Sequence, residues 1–211
     1  MGGNSNSPTP LYRKSHQHVS VTEQSEKPSV LVVDDEAEVA DVYALRLRDE
    51  YEVETAYGGA EALERVEDDL DVVLLDRRMP NVSGDDVLAR IRDRGVDCRV
   101  IMITAVDPDF DIVEMPFDDY LCKPVEKRDL VGAIEQQLTA TRYDERLTDY
   151  LEVTSKLGLL EAEKTAAELD ESEDVAELRE RAAELKRELD ETLTEFDDAT
   201  AAFKEIGRDN S

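Results

Sequence analysis

The chain has 211 residues, of which 53 are Asp or Glu and 25 are Lys or Arg, giving a formal net charge of −28 and a pI of about 4.3. That length holds one domain of ordinary size plus a smaller appendage, and the acidity argues against unassisted binding to nucleic acid, which needs clustered Lys and Arg. Two cysteines, Cys98 and Cys122, are too few for a disulfide framework and read as buried, reduced thiols.

The acids are spread along the whole chain while periodic apolar positions persist, so the charge belongs to the surface of folded elements. At ~1 M salt the Debye length falls to about 3 Å and such a surface stops repelling itself. With Lys scarce relative to Arg, the composition reads as that of a halophilic protein from a salt-rich cytoplasm. No apolar run approaches the ~20 residues of a membrane span, and the N-terminus has no signal-peptide core, which fits a cytoplasmic location.

Residues 1–27, rich in Ser, Asn, Gln, Thr and Pro, read as a disordered arm. The only histidines, His16 and His18, lie in it and read as solvated rather than metal-bound. From Pro28 strands and helices alternate. Ser29 to Val33 is a strand, followed by a helix with Val39, Val42, Tyr43 and Leu47 on one face. Tyr51 to Thr55 is a short edge strand, and Gly58-Gly59 opens a helix carrying Leu63, Val66 and Leu70. Asp71 to Asp76 has the continuous apolar character of a buried parallel strand. Ser83 begins a third helix with Val87, Leu88 and Ile91, and Arg99 to Ile103 is the fourth strand. Pro108 to Pro116 is too weakly periodic for more than a turn or loop. Asp119 to Cys122 is the fifth strand, and a helix from about Glu126 turns Leu130, Val131, Ile134 and Leu138 to the sheet. Right-handed crossovers then give a flavodoxin-like, doubly wound α/β fold with strand order 2-1-3-4-5.

Four apolar runs end in polar residues: Asp34-Asp35, Asp76, Thr104 and Lys123-Pro124. Open parallel sheets bind ligands at the carboxyl ends of their strands. Asp34, Asp35 and Asp76 gathered there repel, by about 4 kcal/mol per pair at ~4 Å and an effective dielectric near ~20, so a cation must fill the cluster. All-oxygen ligation suits Mg²⁺, or Mn²⁺ in its place. A mere surface acidic cluster leaves unexplained why these acids end apolar runs. A nucleotide- or flavin-binding site is disfavoured, because no glycine-rich phosphate loop follows the first strand.

The order and spacing of Asp34-Asp35, Asp76-Arg77-Arg78-Met79-Pro80, Thr104-Ala105 and Tyr120-Leu121-Cys122-Lys123-Pro124 resemble the receiver domain of two-component response regulators, over roughly residues 28–141. The resemblance implies that Asp76 accepts a phosphoryl group from a sensor histidine kinase. It further implies that Asp35, Asp76 and the backbone carbonyl of Arg78 bind the metal directly, with Asp34 acting through water. Thr104 and Lys123 would contact phosphoryl oxygens, the Lys123–Pro124 bond would be cis, and Tyr120 would be an aromatic switch that follows Thr104. Such a protein is a phosphoacceptor rather than an enzyme, apart from its own phosphorylation and dephosphorylation. The Arg78 side chain either lies over the phosphoryl group or is solvated. The family's fourth helix has no counterpart in the periodicity here, which puts the usual signalling face in question.

Residues 142–207 are helical in pattern. Leu147, Tyr150, Leu151, Thr154 and Leu157 form a stripe that Gly158 weakens. After Ser172 comes a heptad seam of Val175, Leu178, Ala182, Leu185, Leu189, Phe196, Ala199, Phe203 and Ile206, with Thr192 in its one polar slot. A turn near Asp170-Glu171-Ser172 would fold the two stripes into a hairpin. The alternative is a coiled coil between copies, a homodimer, or pairing with a partner protein. Placement after a receiver in so acidic a chain resembles the HalX output domain of haloarchaeal regulators, with 208–211 as a tail. No basic recognition helix follows Thr141, so direct contact with nucleic acid is not expected. The sequence therefore reads as a phosphorylation-dependent switch that signals through its C-terminal helices toward transcription. The alternative is a non-phosphorylated scaffold that keeps the receiver fold for protein–protein interaction.

Overall fold

The computed structural model describes residues 27–105 and 110–206, with side chains described up to Thr194 apart from that of Asp111. The expected N-terminal arm with His16 and His18, Pro108, the tail 208–211 and the side chains of Phe196, Ala199, Phe203 and Ile206 lie outside the described residues.

Five strands, β1 (Ser29–Val33), β2 (Glu52–Ala56), β3 (Val72–Asp76), β4 (Arg99–Thr104) and β5 (Asp119–Cys122), pair in parallel in the order β2-β1-β3-β4-β5. The expected sheet order and doubly wound fold are therefore present. Side chains alternate across the sheet with period two. Leu31, Val33, Val73, Leu75, Val100 and Met102 pack on one face against α2 (Gly59–Arg65) and α3 (Gly84–Arg94). Val30, Val32, Val72, Leu74, Ile101 and Ile103 pack on the other against α1 (Ala37–Leu47) and α4 (Lys127–Glu163). Because both faces are covered, β3 can be apolar at successive positions. Ser83 caps α3, accepting a bond from the Asp86 amide while the Asp86 carboxylate accepts one from the Ser83 amide, each 3.2 Å. Between β4 and β5 the described chain has only a 3-10 turn, Phe110–Glu114, consistent with the weak period there.

Two expected burial sites differ. Val42 is 45% exposed, because α1 presents Ala40, Tyr43, Ala44 and Leu47 to the sheet and Val42 lies roughly 200° around the helix from Ala40. Cys122 is exposed, since it closes an edge strand with no neighbour beyond it, while Cys98 is buried and burial pushes its thiol pKa up.

The larger difference concerns α4. It runs unbroken from Lys127 to Glu163, through the expected boundary at 141/142 and through Gly158, so one helix serves both parts of the chain. Its first half is fastened to the sheet by Leu130, Ala133 and Ile134, all 0% exposed. Its second half packs antiparallel against α6 (Glu173–Ile206), with Arg146 and Glu188 2.8 Å apart, Arg181 and Asp149 3.9 Å, and Arg179 and Glu161 3.8 Å. The expected hairpin thus forms, but its connection starts earlier than Asp170. The chain leaves α4 at Lys164 and makes a short helix, α5 (Ala166–Asp170), before entering α6. Thr165 caps α5 reciprocally with Glu168, and Leu169 is buried. Along α6, Val175, Leu185, Leu189 and Thr192 are buried, as the heptad pattern requires. No described helix is long and apolar enough to cross a membrane.

Candidate functional site

At the carboxyl edge of the sheet, backbone bonds continue past the strand ends and fix the residues there. The Asp34 amide donates to the Ala56 carbonyl at 3.2 Å, the Arg77 amide to Ile103 at 3.0 Å, and the Lys123 amide to Thr104 at 2.7 Å. These hold Asp34 after β1, Asp76 at the end of β3, Thr104 at the end of β4 and Lys123 after β5 in one row. The Lys123–Pro124 peptide is cis, as the resemblance implies.

Lys123 Nζ lies 2.6 Å from Asp76 Oδ1 and 2.7 Å from Asp34 Oδ2. The other oxygen of each carboxylate accepts a backbone bond, Asp34 Oδ1 from the Glu36 amide at 2.9 Å and Asp76 Oδ2 from the Arg78 amide at 2.8 Å. Asp34 and Asp76 are 2% and 6% exposed, so these charge-assisted bonds offset much of the cost of desolvation. Burial raises the Asp76 carboxyl pKa, the Lys123 ammonium pulls it down, and the like charge of Asp34 raises it again, leaving it above the ordinary value. Burial works against the charge on Lys123, yet the two carboxylates outweigh it and hold its pKa above the usual value.

The structure brings Asp34, Asp76, Lys123 and the strand end at Thr104 together, with Thr104 wholly buried. Asp35, which follows Asp34 in the chain, has an exposed side chain at the rim of this row. Among the described residues, no three acidic, histidine or cysteine side chains converge closely enough to hold a metal ion as they stand. The cation that the acid pair requires is here the chain's own ammonium. Counting Asp35, three carboxylates and one ammonium leave the row two negative charges in excess, and the donors are hard oxygens. That set fits a divalent ion such as Mg²⁺ better than a soft metal.

Arg78 is exposed and contributes its amide, whereas the neighbouring Arg77 pairs with Asp85 at 3.1 Å. Tyr120 is half-buried in the core beside Phe117, ring centroids 5.6 Å apart, and aligns with Met102, one pleat below Thr104. Two supporting residues escaped the sequence reading. A Cβ on Gly84 would fall 2.3 Å from the Asp76 carbonyl oxygen, so glycine lets α3 start against the end of β3. Ser83-Gly84 was visible in the sequence, but the contact it serves was not. Arg46 reaches from α1 to the Val125 carbonyl at 2.9 Å and holds the segment after Lys123-Pro124, with no sequence signal to reveal it.

Residues 30–135 match the family model of the response regulator receiver domain, and residues 139–206 match that of the HalX domain. A protein of Haloferax volcanii named as a transcriptional regulator is 47% identical over 178 residues, which cover 80% of this chain and 30% of that protein. The transcriptional regulatory protein CutR of Streptomyces coelicolor is 44% identical over 110 residues, 50% of this chain and 51% of CutR. The chain thus spans less than two thirds of either relative. Among solved structures, a response regulator receiver domain protein from Clostridium thermocellum is 31% identical with a TM-score of 0.50, covering 55% of this chain and 97% of that one. The receiver domain of the Francisella response regulator 1452 is 27% identical with a TM-score of 0.50, covering 55% and 99%. A CheY-like receiver domain protein from Methanospirillum hungatei JF-1, 24% identical with a TM-score of 0.51 over 56% and 99%, shares the fold.

Proposed function

The chain belongs to the response regulator receiver family and carries a HalX domain behind its receiver, and on that footing we propose that it is a two-component switch phosphorylated on Asp76. A sensor histidine kinase donates the phosphoryl group in a Mg²⁺-dependent reaction, and the α4–α6 hairpin passes the change toward transcription. The observation that carries this reading is the Lys123 ammonium bonded to both Asp34 and Asp76 at the strand ends.

In the transfer, an Asp76 carboxylate oxygen forms the bond to phosphorus as the bond from phosphorus to the kinase histidine nitrogen breaks. Catalysis is then positioning and charge neutralisation. The amide bond from Arg78 fixes the Asp76 carboxylate, and Lys123 meets the charge that arrives on the phosphoryl oxygens. Asp35, Asp76, the Arg78 carbonyl and Asp34 would hold a Mg²⁺ or Mn²⁺ ion, which would supply further charge neutralisation. The Thr104 hydroxyl donates to a phosphoryl oxygen, and Tyr120 moves inward behind it. The relatives named as transcriptional regulators support the downstream direction. The acidic surface favours a protein of the transcription machinery over DNA as the hairpin's target.

Incubating the full chain with Mg²⁺ and acetyl phosphate, then measuring intact mass, tests this reading. The expected result is a single phosphoryl adduct that disappears in Asp76→Asn and when divalent metal is removed. No adduct on the parent chain would favour the scaffold reading, and an adduct retained in Asp76→Asn would move the site elsewhere.

A further inference from the structure

On the projecting half of α4, α6 covers one side and an uncharged strip runs beside it. The covered side is marked by Arg146, bonded to Glu188 of α6. Roughly 110° around the helix from that side run Leu147, Leu151, Ser155, Gly158 and Ala162, spaced by four, four, three and four residues. Leu151 is 54% exposed, Ser155, Gly158 and Ala162 are exposed, and Leu159 at the strip's edge is 71% exposed. No charged residue falls on the strip between Leu147 and Ala162, in a chain of which 37% is charged. An uncharged surface selects neither nucleic acid nor any other ionic partner.

What it does fit is itself. Large residues stand at the N-terminal end of the strip and small ones at the other. When two copies of α4 lie antiparallel about an axis between Thr154 and Ser155, Leu147 of each meets Ala162 of the second copy, and Leu151 meets Gly158. The slot at Gly158 is open, since a Cβ there would meet nothing within 4 Å. Beside the axis, Lys156 is paired with Glu152 at 2.5 Å, so acid and base are matched on the rim where the copies approach. Farther out, Glu145 of one copy faces Glu163 of the other, which makes association depend on salt. We propose that this strip is an isologous interface through which two copies of the chain pair along α4, Leu147 and Leu151 of each seated over Ala162 and Gly158 of the other. The interface is independent of the chemistry assigned to Asp76.

Light scattering on the full chain at ~1 M KCl is expected to give a dimer that dissociates on dilution. Leu151→Glu and Gly158→Gln should each halve the mass. The second variant isolates the slot, because Gln is a better helix former than Gly and has open space at that position in the single chain. Circular dichroism should show its helix content undiminished. With Cys122→Ser as background and Cys98 buried, Ser155→Cys next to the axis should give an interchain disulfide on oxidation. Glu180→Cys, exposed on the outer side of α6, should not. A parent chain monomeric at every concentration overturns the proposal and leaves the strip to a different partner. So does a dimer that survives Gly158→Gln, or equal cross-linking at positions 155 and 180.

Discussion

In the sheet, Val72, Val73, Leu74 and Leu75 are all 0% exposed between helices on both sides, whereas no α4 side chain beyond Thr139 is buried among the described residues. A sheet covered on two faces closes its core in every direction, while two helices side by side close theirs along a single line. The receiver therefore has the means to fold by itself. The hairpin depends on one seam, on its root in the receiver and on whatever covers its remaining side. Segments with few fully buried contacts open most readily, which suits the hairpin to being the part that responds.

Breaking the seam should separate the two regions most sharply. Leu185→Asp with Leu189→Asp, at positions 1% and 7% exposed, should melt α6 and fray α4 from about residue 142 while leaving Asp76 phosphorylation intact. Hydrogen exchange combined with intact mass checks both halves at once, and loss of phosphorylation would mean that the two regions share one core. The converse substitution, Leu74→Ala in β3, should cost about 3–4 kcal/mol of receiver stability in denaturant titration. It should weaken the hairpin only through the loss of its root.

Arg99 joins the regions. It donates to Thr141 Oγ1 at 2.9 Å and lies 2.6 Å from Asp144 and 3.2 Å from Asp118. Arg99→Ala should cost about 1–2 kcal/mol, read as faster amide exchange over 139–150 with the sheet unaffected. The smallest effect sharpens the receiver alone. Ser83→Ala removes the α3 cap and should lower stability by about 1 kcal/mol, with hairpin exchange unchanged.

How far the sequence could be read follows the same division. The strands were legible because an apolar run ended by one polar residue has few other meanings, and Val72 to Asp76 shows that in five residues. Asp34, Asp76 and Lys123 could be placed together because strand ends of a parallel sheet share one edge. The exposure of Asp35 could not, since adjacent residues leaving a strand point in different directions. Nor could the bonding of Lys123 to both acids, the farther of which, Asp34, lies 89 residues away in the chain. In the hairpin, Gly158 weakens the apolar stripe, yet the helix runs through it. A glycine costs a helix only about 1 kcal/mol, and the other residues of this 37-residue helix carry it through. The end of α4 was readable in Thr165-Ala166-Ala167-Glu168, a capping-box pattern overshadowed by the polar run at Asp170-Glu171-Ser172.

The unbroken course of α4 has a mechanical consequence. Its 37 residues make a rod of about 55 Å, of which about 33 Å projects beyond Thr141. Rooted among Leu130, Ala133 and Ile134 with no flexible joint in between, it acts as a lever. A tilt of about 5° at the sheet swings the far tip by about 3 Å, more than half a helical turn. A shift too small to notice around Lys123 can thus arrive at Glu163 as a displacement large enough to realign side chains on the projecting arm.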